Sequence, residues 1–314
     1  MSNYNIQKPF LKWVGGKTQI MSNIIDNIPK EINNYYEPFL GGGSVLLMIL
    51  SLQKENKIKI NGKIYVSDLN KRLINIYKHI KSNKDELFEY IEKYINTYDK
   101  LTGDIINRKP KNENEAKTSK ESYYYWIRKC YNELNKKQNL TINDEINLSS
   151  MFMFMNKTCF RGMYREGPNG YNVPYGHYKK TPTIITKDEL YKISDLIQNV
   201  EFMNYSFEDT FTNMINDNNK NNFIYCDPPY VPINKKSFVG YNVDGFDNNK
   251  HELLFNLLKD IEKNKMKFML SNSKVDYVDK SFKNYNIKNV EVKRSINSKN
   301  PGSKVLEVII TNYK

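Results

Sequence analysis

The chain has 314 residues, with 48 Lys and Arg against 35 Asp and Glu, a formal charge of +13. That length supports one sizeable core and a smaller second domain, and the charge favours a polyanionic partner, although a Lys- and Asn-rich composition by itself accounts for part of it. Three widely spaced cysteines (Cys130, Cys159, Cys226) and three scattered histidines (His79, His177, His251) argue against a disulfide scaffold and a clustered metal site. No signal-peptide core and no apolar run of membrane-spanning length is seen, so an intracellular soluble protein is expected.

In chain order, residues 33–40 read as a short strand ending at Pro38, followed by a turn at 41–44. A helix then carries Val45, Leu46, Ile49 and Leu52 on one side. A second strand is expected at 63–67, closed by Asp68, before a helix from near Leu69 with Leu73, Ile76, Tyr77 and Ile80 at helical spacing. This βαβα order predicts a mostly parallel sheet. Residues 99–121 hold few core formers and read as a mobile loop or insertion. Helices are expected around Tyr123–Tyr131 and at 149–156, with a structured loop at 157–181 rich in Gly, Tyr, Arg and Lys. After a helix at 187–197, strands are expected at 202–205, 222–226 and 267–271, with a helix at 251–263 between the last two. Segments 287–293 and 304–311 predict a closing antiparallel pair. The expected fold is α/β: a sheet domain at 1–82 and 183–314, split around a mostly helical insertion at 83–182.

The segment Glu37-Pro38-Phe39-Leu40-Gly41-Gly42-Gly43-Ser44 puts glycines where a strand turns into a helix. Glycine permits close backbone approach to a ligand, and the helix start offers free N–H groups. Asp68 follows the next strand, the position of a ribose-binding carboxylate in nucleotide-binding α/β units. The glycines match neither a P-loop nor the dinucleotide fingerprint, and taken alone they are equally an ordinary tight turn. Trp13-Val14-Gly15-Gly16-Lys17 forms a second close-approach loop whose cation suits a carboxylate, or is simply solvated.

Asp227-Pro228-Pro229-Tyr230 follows the apolar segment 222–226. An exocyclic amine on a heteroaromatic ring is a poor nucleophile because its lone pair is delocalised. Hydrogen bonds from that amine to the Asp227 carboxylate and the Pro228 carbonyl make its nitrogen more tetrahedral and localise the lone pair. Acceptors aimed at the developing positive charge, and correct placement of the nucleophile, both lower the barrier. Tyr230 offers a stacking ring and the two prolines stiffen the backbone. A plain Pro-Pro turn with a surface tyrosine is the alternative.

These pieces, with Phe10-Leu11-Lys12 ahead of Trp13, Ser67-Asp68-Leu69-Asn70, Asn172-Val173-Pro174-Tyr175-Gly176 and Arg294-Ser295-Ile296, resemble the Dam-type (alpha class, D12) adenine-N6 DNA methyltransferases, in the family's order over nearly the whole chain. The resemblance implies a Rossmann-like catalytic sheet, S-adenosylmethionine as donor, no metal, and a target-recognition domain in the insertion. It implies that Trp13 and Lys17 hold the methionine end near the backbone of Phe39 and Gly41. Asp68 would take the ribose hydroxyls, Phe207 and Asp209 would flank the cofactor adenine, and Asp227 and Tyr230 would receive a target adenine flipped from duplex DNA.

The 156–165 segment mixes cations, aromatics and a glycine. Arginine suits guanine O6/N7, and an aromatic can wedge into a stack opened by base extrusion. By resemblance Arg165 is the base reader, Phe160 the inserted ring, and Arg161 a base or phosphate contact. Asn172 belongs to the same DNA-facing set, while Lys179, Lys180, Arg294 and Lys299 face phosphates; a rigid basic lid is the plainer reading. His177 reads as structural or groove-facing. GATC-specific relatives commonly carry Asn-Gly where this chain has Arg161-Gly162, so a GAT-containing target is expected without a full GATC site being implied.

The expected function is site-specific adenine-N6 methylation of double-stranded DNA by a monomer or weak dimer, in a bacterial cytoplasm or a virus-infected host cell, with a separate restriction endonuclease as a candidate companion. Methylation of an RNA base or a planar amide, and a degenerate non-catalytic DNA-binding module, are the competing readings.

Overall fold

A computed structural model describes residues 4–217, 221–232, 245–293 and 304–314. The chain forms two compact units: Met1–Ile6, Gly16–Leu69 and Asn199–Lys314 make the first, Gln7–Gly15 and Asn70–Gln198 the second.

The first unit is built on a seven-stranded sheet. In chain order its strands are β1 (Tyr35–Glu37), β2 (Ile64–Ser67), β3 (Val200–Met203), β4 (Phe223–Cys226), β5 (Lys267–Ser273), β6 (Asn286–Lys293) and β7 (Lys304–Thr311). Their spatial order is β6-β7-β5-β4-β1-β2-β3. Strands β3, β2, β1, β4 and β5 run parallel, and β7 and β6 add antiparallel as expected. Strand β4 is buried on both faces, which is why Phe223–Cys226 is continuously apolar rather than alternating. Ile224, Cys226, Phe268, Leu270, Val308 and Ile310 pack with Leu254, Leu258 and Ile261 of the helix Asn248–Lys263. Those three helical residues are spaced four and three apart, one apolar stripe.

Sheet order reverses between β1 and β4. β1 leads outward to β2 and β3, whereas β4 leads the other way to β5. Crossovers leave in opposite directions there, opening a crevice at the carboxyl ends of the two strands, the usual ligand position in open α/β sheets. Both singled-out motifs, Pro38–Ser44 and Asp227–Tyr230, begin at those two ends.

The second unit is mainly helical, with helices Lys71–Ser82, Lys84–Asp99, Lys120–Asn135, Ile142–Thr158 and Lys187–Leu196. Ile142–Thr158 packs against Lys71–Ser82, Lys84–Asp99 and Lys120–Asn135: Leu148–Asn156 is buried throughout, so that part of the helix has no solvent-facing side. A capping box of Thr141 and Asp144 starts it, and Asn70, Ser119 and Thr186 cap three others with their side chains. A small hairpin pairs Glu166–Gly167 with Gly170–Tyr171.

Several elements differ from the sequence expectation. Strand β3 ends at Met203 rather than Tyr205, because Asn204 turns its amide to the carbonyls of Asp68 and Leu69. The helix Lys84–Asp99 has no counterpart among the expected elements, although Leu87, Ile91, Tyr94 and Tyr98 fall on one face. Residues 99–121 hold a short helix, Glu113–Ala116, a bridge between Asp104 and Ser119, and an Arg108–Glu121 ion pair of 2.8 Å. Polar side chains secure this stretch, so hydrophobic periodicity does not reveal it. No helix among the described residues is long and apolar enough to cross a membrane.

Candidate active site

The loop leaving β1 is shaped by two glycines with positive φ, Gly41 (50°) and Gly43 (66°), the latter capping the helix Ser44–Lys54. An L-residue at either φ carries about 1–2 kcal/mol of strain. The Leu40 N–H donates to the Ser67 carbonyl at 3.0 Å, and the Gly41 N–H to Asp68 Oδ2 at 2.9 Å. The Gly-rich turn and Asp68 are therefore one hydrogen-bonded assembly at the ends of β1 and β2. Phe39 and Phe207 lie face to face with ring centroids 5.6 Å apart, and Phe246 meets Phe39 edge-on. Asp209 is used locally: its carboxylate accepts from the Ser206 N–H and hydroxyl, and its own N–H donates to Ser206 Oγ, an N-cap of the helix Phe207–Asp217.

At the end of β4, Asp227 Oδ2 pairs with Lys17 Nζ at 2.6 Å, and the two side chains are only 17 % and 5 % exposed. The other oxygen, Oδ1, is buried and has no hydrogen-bond partner among the described residues. Burial pushes the Asp227 carboxyl above the usual carboxylate range, and the Lys17 ammonium opposes that rise. The Tyr230 hydroxyl donates to Glu307 Oε2 at 3.1 Å, and Lys17 Nζ lies 5.0 Å from the Tyr230 ring centroid. The Val231 N–H donates to Asn272 Oδ1 at 3.0 Å, and Ser273 Oγ donates to the Val231 carbonyl. The run from Asp227 through Pro228 and Pro229 to Tyr230 is thus pinned at its exit to the end of β5.

Glu37 lies in the same region, 2 % exposed, accepting a hydrogen bond from the Tyr35 hydroxyl at 2.7 Å. Burial, aided by the charge of Asp227, pushes its carboxyl up to about 8. In the sequence Glu37 is marked only as an acid within a short apolar strand, a signal that carries no role by itself. Glu307, Asn272 and Ser273 reach the tetrapeptide only through sheet pairing, so nothing local in the sequence marks them.

Trp13 belongs to the second unit, stacked on Tyr164 at 5.6 Å and on Phe152 at 6.4 Å, whereas Lys17 belongs to the first. The backbone of Lys12 exchanges two hydrogen bonds with the Asn156 side chain. Phe160 (42 %), Arg161, Arg165, Asn172 and Lys179 are exposed. Arg161 adopts a positive φ of 56° with its guanidinium over the Phe160 ring. Arg165 Nε donates to Asn172 Oδ1 at 2.6 Å and its Nη2 to the Asn172 carbonyl, so these two candidates form one unit across the hairpin. His177 lies 3.6 Å from the Glu121 carboxylate. Arg294 and Lys299 lie outside the described residues. Among the described residues, no three His, Cys, Asp or Glu side chains come together as a metal site.

The arrangement offers a buried acceptor at a strand end, a tethered aromatic beside it, and a Gly-rich loop joined to an acid on the neighbouring strand. A family model described as D12 class N6 adenine-specific DNA methyltransferase matches residues 13–296. The chain is 37 % identical to the type II methyltransferase M.MjaIII of Methanocaldococcus jannaschii, covering 98 % of this chain and 99 % of that one. It is 30 % identical to a DNA adenine methylase of Haemophilus influenzae over 95 % of this chain and 90 % of that one. It is 29 % identical to the type II methyltransferase M1.LlaDCHI of Lactococcus lactis, covering 98 % and 95 %. With the family model spanning both motifs and every strand of the sheet except β7, the chain belongs to the D12 class of N6 adenine-specific DNA methyltransferases.

Proposed function

We propose that the protein transfers a methyl group from S-adenosylmethionine to N6 of an adenine flipped out of duplex DNA, at a specific short sequence. The observation that carries this reading is the buried Oδ1 of Asp227, which has no hydrogen-bond partner among the described residues, beside the tethered ring of Tyr230. An orphaned buried acceptor costs about 1–3 kcal/mol, a cost that a bound donor would relieve.

The residues at the β1 and β2 ends fit the cofactor. Asp68 suits the ribose hydroxyls, Phe39 and Phe207 an adenine ring, and the Gly41–Gly43 turn a close-lying chain. Bound S-adenosylmethionine supplies an electrophilic methyl on a sulfonium. On this reading Asp227 Oδ1 accepts one amine N–H and the Pro228 carbonyl the other. Tyr230 stacks on the base, its plane set by Glu307. Lys17 opposes the burial that raises the Asp227 pKa and so favours the ionised form, an acceptor that stabilises positive charge on the nitrogen. A base within the duplex is out of reach of such a site, so extrusion is required.

Arg165, oriented by Asn172, is assigned to a guanine edge, Phe160 to the opened stack, and Arg161 and Lys179 to base or phosphate contacts. Two relatives bear the name type II methyltransferase, which supports a guard role beside a separate endonuclease. The test is sequencing-based mapping of N6-methyladenine in random duplex DNA incubated with the pure protein and S-adenosylmethionine. Methylated adenines sharing one short motif are expected. Unmodified DNA, with the cofactor shown to bind, moves the substrate to RNA or protein.

A further inference from the structure

The stretch 99–121, which the sequence left without a role, builds one wall of a cleft of about 370 Å³ in the second unit. The other wall is the helix Lys120–Asn135 and the residue after it. Arg108, Lys109 and Lys111 face Arg128, Lys129 and Lys136 across it, with Glu133 the single carboxylate in the lining. Six cations against one acid is unusual for a concave surface, where like charges repel more strongly than on an open face.

Part of this charge is already engaged. Arg108 is paired with Glu121, and Lys129 Nζ reaches the carbonyls of Pro110 and Lys111 and lies 3.9 Å from Glu133, closing the floor. Lys109, Lys111 and Lys136 are exposed and form no ion pair among the described residues. The helical wall runs along one face from Tyr125 to Lys136. At the α-helical rise that is about 16 Å, the axial length of about five base pairs of duplex.

The cleft is also fastened to the recognition hairpin. Asn132, in the lining, accepts from the Tyr171 N–H at 2.8 Å and donates to the Tyr171 carbonyl at 2.9 Å. Arg128 donates to the Val173 carbonyl at 2.9 Å. Both contacts flank Asn172, the residue that orients Arg165.

Resting on the DNA reading above, we infer that this cleft binds the phosphodiester backbone of the duplex outside the methylated motif, through Lys109, Lys111 and Lys136. It would supply sequence-independent affinity and fix the register in which Arg165 meets the bases. Phosphate contacts position a protein without reading sequence, and each one adds about 0.9 to the salt slope of binding.

The test uses the full chain and two duplexes carrying the methylated motif, one barely longer than it and one extended by several helical turns. Wild-type protein is expected to bind the long duplex about tenfold or more tighter than the short one. The triple substitution K109A/K111A/K136A loses that gain and lowers the log–log salt slope by about 2–3, while turnover of saturating short duplex stays at the wild-type value. K109R/K111R/K136R keeps the gain, and an unchanged circular dichroism spectrum shows that the alanine variant is folded. Equal gain and equal slope in wild type and alanine variant overturn the inference. So does a variant that loses affinity for single-stranded RNA while holding duplex DNA. If wild-type protein methylates neither duplex, the functional reading itself has failed, a result distinct from loss of the length effect alone.

Discussion

Lys17 and Asp227 form a buried ion pair at the centre of the site. Asp227→Ala is expected to lower methyl transfer about a hundredfold or more while leaving cofactor affinity largely intact; parallel collapse of cofactor binding would reassign Asp227 to the cofactor. The same change removes the Asp227 partner of the buried Lys17 ammonium and costs about 3 kcal/mol, the low end for a buried pair because Asp227 retains some exposure. Chemical denaturation should show that Lys17→Met in the same background recovers most of this loss. Glu37 carries a pH signature. Its carboxyl rises from an ordinary value near 4.5 to about 8 in the fold, so the folded chain binds more protons between those values. Its stability contribution is therefore full below pH 4.5 and is lost as pH rises through about 8. Glu37→Gln, which mimics the protonated acid, should match wild-type melting temperature in acid and exceed it at pH 9. Parallel curves would show that Glu37 does not titrate there.

At the scale of elements, the hairpin proposed to read the target carries a hydrogen-bonded pair rather than a lone arginine. Arg165→Ala should relax sequence preference in methylation mapping, and Asn172→Ala should do so in part, since Asn172 orients the guanidinium. A uniform loss across all sequences would assign Arg165 to phosphate instead. The neighbouring turn holds Arg161 at φ 56° and Gly162 at φ 64°, where an added Cβ would lie 2.3 Å from Lys12 Cβ. Asn tolerates the left-handed region better than Arg, so Arg161→Asn is expected to raise stability by about 0.5–1 kcal/mol, read as an increase in melting temperature. Most elements of this chain were legible because burial leaves a pattern: one-sided in the helix marked by Leu73, Ile76, Tyr77 and Ile80, and on both faces in the continuously apolar central strand Phe223–Cys226. Strand β3 was misplaced by two residues because Asn204 ends it with a contact to the neighbouring strand's loop, which no local pattern announces.

For the whole molecule, the sequence by itself determined the chemistry. Asp227-Pro228-Pro229-Tyr230, the Gly-rich turn and Asp68 lie in short motifs at strand ends, and the role proposed for them rests on local backbone geometry that a short run of residues encodes. It also determined the parallel sheet, since strands and helices alternate with distinct periodicities. Tertiary structure decided what those motifs are held by. The reversal of strand order between β1 and β4 brings two loops almost two hundred residues apart in sequence to one crevice. Sheet register carries Glu307 to the Tyr230 hydroxyl and Asn272 to the Val231 N–H. Folding grouped Trp13 with the helical unit and Lys17 with the sheet, although only three residues lie between them. It also gathered Lys109, Lys111 and Lys136 into one cleft. Such contacts are set by packing and long-range pairing, whose partners lie far apart along the chain, so no local window of sequence contains them.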